Sequence, residues 1–77
     1  MDSTIRLSSR ELDVLRLLAD GCTYSEASRR LGVSLHTVVT HIKNAYRKLD
    51  VHNAAAAVAS AMRLGLLRFN NNAGSER

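Results

Sequence analysis

The sequence predicts an all-α domain of four helices, over about residues 9–19, 24–31, 35–49 and 54–64. Three observations carry this. The 77 residues contain no proline, two tyrosines and one phenylalanine, and alanine, leucine and arginine are plentiful, which favours helix over strand. Apolar residues recur at intervals of three and four rather than alternating. Each candidate segment opens on a helix-capping residue, and three of the four close on a glycine.

Helix 1 opens with Ser8-Ser9-Arg10-Glu11. The Ser8 hydroxyl can accept from the Glu11 amide while Glu11 reaches back to the Ser8 amide, a capping box. Leu7 and Leu12 stand at the hydrophobic-staple positions, and Leu12, Leu15, Leu18 and Ala19 supply the inner face. Gly21 ends the helix. Thr23 and Glu26 form a second box for helix 2, where Ala27 and Leu31 lie one turn apart and Gly32 stops the chain. Ser34 caps helix 3, with Val33 stapling to Val38. Val38, Ile42, Ala45 and Leu49 make one stripe at about 100° per residue, widened by Leu35 and Tyr46. The opposite face holds His36, Thr40, Lys43, Asn44 and Arg47. Asn53 caps helix 4. Ala57, Val58, Ala61 and Met62 are its expected inner face; Ala55, Ala56, Ala59, Ser60 and Arg63 are its expected outer face. Residues 1–6 form an arm, 7–67 the domain, and 68–77, without periodicity, a mobile tail.

A chain of 8.5 kDa holds one small domain. Its stability should be roughly 4–12 kcal/mol, so its apolar residues are committed to a core, with little left for an enclosed catalytic pocket. Cys22 is the single cysteine, which rules out a disulfide framework or a multi-cysteine zinc site and suggests a reducing compartment. Before helix 2 it reads as a small staple residue. No apolar run approaches about 18 residues, so no membrane span is expected. Glu11 and Glu26 read as caps; nothing brings them together as an acid–base pair. His36 and His41 stand about 140° apart on a helix, with no third ligand near, so no metal site is expected. No cofactor is called for.

Charge is uneven. The net is +4, and Tyr24–Leu49 alone carries it: Arg29, Arg30, Lys43, Arg47 and Lys48 face only Glu26. Such a field suits a polyanion, most commonly nucleic acid. The link Leu31-Gly32-Val33-Ser34 is too short for antiparallel packing, so helices 2 and 3 must cross steeply, as in a helix-turn-helix. That arrangement turns the polar face of helix 3 outward, and an α-helix fits the major groove of B-DNA.

Residues 7–67 resemble the LuxR-type (GerE-type) DNA-binding domain of bacterial transcription regulators. The resemblance rests on LSSRELDVLRLLADG at 7–21, EASRRLGVS at 26–34, TVVTHI at 37–42, RKLDV at 47–51 and the Gly65-Leu66-Leu67 ending. Asp50 stands where the family usually has glycine. The resemblance implies a sequence-specific regulator that inserts helix 3 into duplex DNA. Val39, Thr40 and Lys43 match its base-facing positions. Lys43 can donate to guanine O6 or N7, Thr40 can donate or accept, and Val39 can touch a thymine methyl. Ser34, His36, Thr37, Asn44 and Arg47 are expected at phosphates, where they set register. Arg29 and Arg30 are expected there too, with Arg30–Glu26 pairing as the alternative, as are Tyr24 and His41, which core packing would equally explain. The resemblance also implies a homodimer through helix 4, using Ala55, Ala56, Ala59, Ser60 and Arg63, and RNA polymerase as a further partner. It implies a bacterial cytoplasmic setting, on the nucleoid when bound. In that family the domain usually follows a phosphoacceptor receiver or a ligand-binding module, so these residues are either the output piece of a longer regulator or a stand-alone member. Two other readings remain: region 4 of a sigma factor, which normally lacks a capped fourth helix, and a protein-interaction module built on the same fold.

Overall fold

The computed structural model describes residues 5–68, and these form four helices: α1 (Ser9–Ala19), α2 (Tyr24–Leu31), α3 (Leu35–Leu49) and α4 (Ala54–Arg63). No strand occurs among the described residues. The expected tail lies outside them except for Arg68, as does most of the expected arm. Helix 4 ends one residue earlier than predicted, with Leu64 as its cap.

Local chemistry sets these limits. The Glu11 amide donates to Ser8 Oγ at 3.1 Å, and Glu11 Oε1 accepts from the Ser8 amide at 2.8 Å. Thr23 and Glu26 repeat the pattern at 3.0 and 2.8 Å. Ser34 Oγ accepts from the Thr37 amide at 3.0 Å, and Asn53 Oδ1 from the Ala56 amide at 2.8 Å. Each cap stabilises its helix by about 1 kcal/mol. At the other ends the chain turns through a left-handed residue. At Gly32, φ is 70° and the Val33 amide donates back to the Ser28 carbonyl at 3.1 Å, which closes α2 and starts the turn into α3. Asp50 makes the same turn after α3 with φ 58°, the one non-glycine residue there with positive φ among those described. The Val51 amide then reaches the Tyr46 carbonyl at 3.0 Å.

The core is organised round α3, which packs on all three other helices. Val38, Ile42, Ala45 and Leu49 meet Val14 and Leu15 of α1, Ala27 of α2, Ala57 and Ala61 of α4, and Leu67 beyond it. Six positions differ from the expected faces. On α1 the buried arc runs through Glu11, Val14 and Leu15, and Leu12 lies outside the buried core. Leu35 is exposed, because it stands in the first turn of α3 before the buried stripe begins at Val38. On α4 the inward arc extends from Ala57 and Ala61 toward Ser60 rather than toward Met62. Ser60 is therefore 7% exposed and Met62 39%.

A polar contact crosses this core. Lys48 Nζ lies 2.9 and 3.2 Å from the two carboxylate oxygens of Glu11. It ties the last turns of α3 to the first turn of α1. The carboxylate side chain is 5% exposed and Lys48 38%. Burial opposes ionisation of Glu11, but the Lys48 ammonium and the Ser8 amide together outweigh it and hold the carboxyl below its ordinary range.

Candidate nucleic-acid interface

With one side of α3 buried, its other side is fixed by geometry. His36, Thr40, Lys43 and Arg47 follow at intervals of four, three and four. On a helix of 3.6 residues per turn they fall within an arc of about 60°, opposite the buried stripe. All four are exposed. They form a straight polar row about 16 Å long. Half-buried Val39 borders it on one side and half-buried Asn44 on the other.

The row is chemically graded. Thr40 donates its hydroxyl proton to the His36 carbonyl at 3.0 Å, so its oxygen faces outward as an acceptor. Arg47 Nη2 donates to Asn44 Oδ1 at 2.9 Å, which steadies both side chains. The ion pairs among the described residues are Arg10–Asp13, Arg16–Asp13 and Lys48–Glu11. Lys48 therefore leaves the basic set that the sequence suggested, while Arg29, Arg30, Lys43 and Arg47 keep an unpaired charge among those residues. Arg30 does not pair with Glu26. The Thr23 amide instead holds the Glu26 carboxyl below its ordinary range, with Arg29 and Arg30 contributing at longer distance.

The other expected DNA contacts are spread more widely. Ser34 and Thr37 share a hydroxyl contact of 2.9 Å at the start of α3, where Ser34 is the cap. His41 is half-buried and stands about 140° from His36, off the row. Arg29 and Arg30 are exposed on α2, with Arg29 about 160° from buried Ala27. Tyr24 packs against the core, and its hydroxyl lies 3.3 Å from that of Tyr46. Burial, and then the Tyr24 hydroxyl, push the Tyr46 phenol up to about 12. Neither this pair nor Glu11–Lys48 is visible in local spacing. They join residues 22 and 37 positions apart.

A second surface lies behind the row. Leu18 and Ala19 of α1 with Ala54, Ala55, Val58, Ala59 and Met62 of α4 line an open apolar groove of about 510 Å³. Of the residues expected to pair two copies, Ala55 and Ala59 line this groove, Ala56 is half-buried and Arg63 is exposed. Ser60, expected on the outer face, is instead buried, and Arg63 Nη2 lies 3.3 Å from its hydroxyl. Met62, expected inside, takes a place in the groove instead. Among the described residues no three His, Cys, Asp or Glu side chains gather as a metal site, and no helix is long and apolar enough to cross a membrane.

Comparison with known proteins agrees with this arrangement. The family described as bacterial regulatory proteins, luxR family, matches residues 6–61. The transcriptional activator protein CarR of Pectobacterium carotovorum subsp. carotovorum is 52% identical over 60 residues, covering 78% of this chain and 25% of CarR. The HTH-type transcriptional activator RamA of Corynebacterium glutamicum is 42% identical over 64 residues, covering 83% of this chain and 23% of RamA. This chain thus spans about a quarter of the length of those relatives. Among solved structures, the transcription factor GerE superposes with a TM-score of 0.77 at 34% identity, covering 80% of this chain and 92% of that one. The response regulator ChrA of a heme-sensing two-component system gives 0.79 at 33% identity, covering 86% and 33%. A match of this extent, on a helix-turn-helix with a basic outward row, places the chain in the luxR family of bacterial regulatory proteins as a LuxR-type DNA-binding domain.

Proposed function

We propose that this domain reads duplex DNA by laying α3 in the major groove, and that it works as a pair joined through α4. The carrying observation is the opposition on α3: a stripe buried to 7% exposure or less behind, and His36, Thr40, Lys43 and Arg47 in front. A helix so backed is held rigidly while its polar side stays open. Lys43, at the middle of the row, donates to guanine, and Thr40 accepts from an adenine or cytosine amino group. Val39 touches a thymine methyl at the row's edge. His36, Asn44 and Arg47 meet phosphates, joined by Ser34 and Thr37 at the start of α3 and by Arg29 and Arg30 of α2. CarR and RamA are transcriptional activators, and regulation of transcription is the matching role here. A bacterial cytoplasmic setting belongs to the same reading.

Binding to random-sequence duplex over a salt series tests it. Affinity should fall with salt at a log–log slope of about 0.9 per phosphate neutralised. After an operator is selected, Lys43→Ala should flatten discrimination between operators by about 1–3 kcal/mol. A uniform loss on all sequences would make Lys43 a phosphate contact. Absence of binding even at low salt would favour the protein-interaction module.

Pairing has its own test. Ala59 lies in the apolar groove, where small side chains allow a second helix to approach closely. Ala59→Glu should show a lower mass than the parent at high concentration in sedimentation. Equal masses for the two chains would remove α4 from the interface.

A further inference from the structure

The Tyr24–Tyr46 contact offers more than packing requires. Its two hydroxyls lie 3.3 Å apart, one from the first turn of α2 and the other from α3. A pair sharing one hydrogen bond has two O–H groups and uses one, so one remains free to donate. Both rings pack against the core, yet neither residue is fully buried. The rings are held against the core, while the hydroxyl contact is only part-buried. On α3, Tyr46 continues the line Val39–Lys43–Tyr46 at intervals of four and three, so it borders the outward row. With Lys43 in a major groove, that border faces the wall of the groove, and the wall is made of phosphates. In helix-turn-helix docking the first helix of the motif crosses that backbone, and here this helix is α2, with Tyr24 in its first turn.

We propose that Tyr46 is a positioning residue: its hydroxyl donates to the Tyr24 oxygen, and this aims the Tyr24 O–H at a phosphate oxygen of the DNA backbone. The proposal rests on the reading of α3 given above. Each donor in such a chain polarises the next, so the outer hydroxyl becomes a better donor than an isolated tyrosine. Tyr46 keeps its proton for this purpose at neutral pH, as burial and the Tyr24 hydroxyl push its phenol up further still. The contact also has a signature that separates it from lysine or arginine. A neutral hydroxyl releases no counterion, so its loss weakens binding without changing the salt slope.

The test uses Tyr24→Phe, Tyr46→Phe and the double variant, each binding random-sequence duplex over a salt series. Each single variant should bind about fivefold more weakly, with the parent's salt slope and a melting temperature close to the other's. The double variant should be no weaker than Tyr24→Phe alone, because both substitutions break one chain. Parent-like binding by Tyr46→Phe would overturn the proposal, as would losses that multiply in the double variant or a loss that follows a lowered melting temperature. If the parent itself shows no salt-dependent binding, the DNA reading of α3 falls first and this proposal with it.

Discussion

Ile42→Ala should lower the melting temperature by on the order of 10–30 °C. Ile42 is 1% exposed and lies in the middle of the stripe that α3 turns toward the other helices. Truncating such a side chain costs about 2–5 kcal/mol, from lost burial and the cavity left behind. A domain of this size has roughly 4–12 kcal/mol in all. The variant thus approaches or crosses the point of net instability, and duplex binding should fall with the folded fraction. Ile42→Val, which removes one methylene, should cost only about 0.5–1.5 kcal/mol. Circular dichroism at 222 nm during heating measures both. A drop of only a few degrees for the alanine variant would mean that the back of α3 is not packed as described.

Lys48→Met should cost about 1–3 kcal/mol at neutral pH, with a cost that shrinks on acidification. Removing one partner of a fully buried pair costs about 3–5 kcal/mol, but Lys48 is 38% exposed, so solvent screening reduces the figure. The sign of the pH effect follows from Glu11. Its carboxyl titrates lower in the folded protein than in the unfolded chain. The stability this gives is complete above the unfolded value, about 4.3. It is lost as pH falls through the lower, folded value. Without Lys48, only Ser8 opposes the burial of the carboxylate, and protonating Glu11 relieves a charge that has lost its partner. Parent and variant should therefore draw together as pH falls below the unfolded value and through the folded one. Urea denaturation of both chains at pH 7 and pH 3.5 checks this. An equal gap at the two pH values would show that the pair is not its source.

The contrast between these two sites explains what could be read before the fold was known. The helix starts were legible because Ser8–Glu11, Thr23–Glu26, Ser34 and Asn53 act on amides within three residues of themselves. The α3 stripe was legible because its periodicity is unbroken. Helix 4 was harder, because its alanine-rich start gives a weak contrast between faces, and its packing against α1 and α3 buries Ser60 and leaves Met62 exposed. Glu11 was legible as a cap but not as a buried ion-pair partner, since Lys48 reaches it only after α1 and α3 have docked. The same holds for Tyr24 and Tyr46, and for the removal of Lys48 from the basic set. On the DNA side the outward row could be read from spacing alone, and so could the position of His41 off that row.

The length of the row sets how much sequence the domain can name. Laid in a groove as proposed, a row of about 16 Å would lie beside at most about five base pairs, at 3.4 Å of rise each. Five positions distinguish about a thousand words, and a genome offering on the order of a million or more sites repeats each of them many times. On that reading, one copy of this domain would hold an address too short to be unique. A second copy, reading a second stretch, squares the vocabulary to about a million. In informational terms the alanines of α4 would then matter as much as Lys43, because they would decide whether two short words are read as one long one.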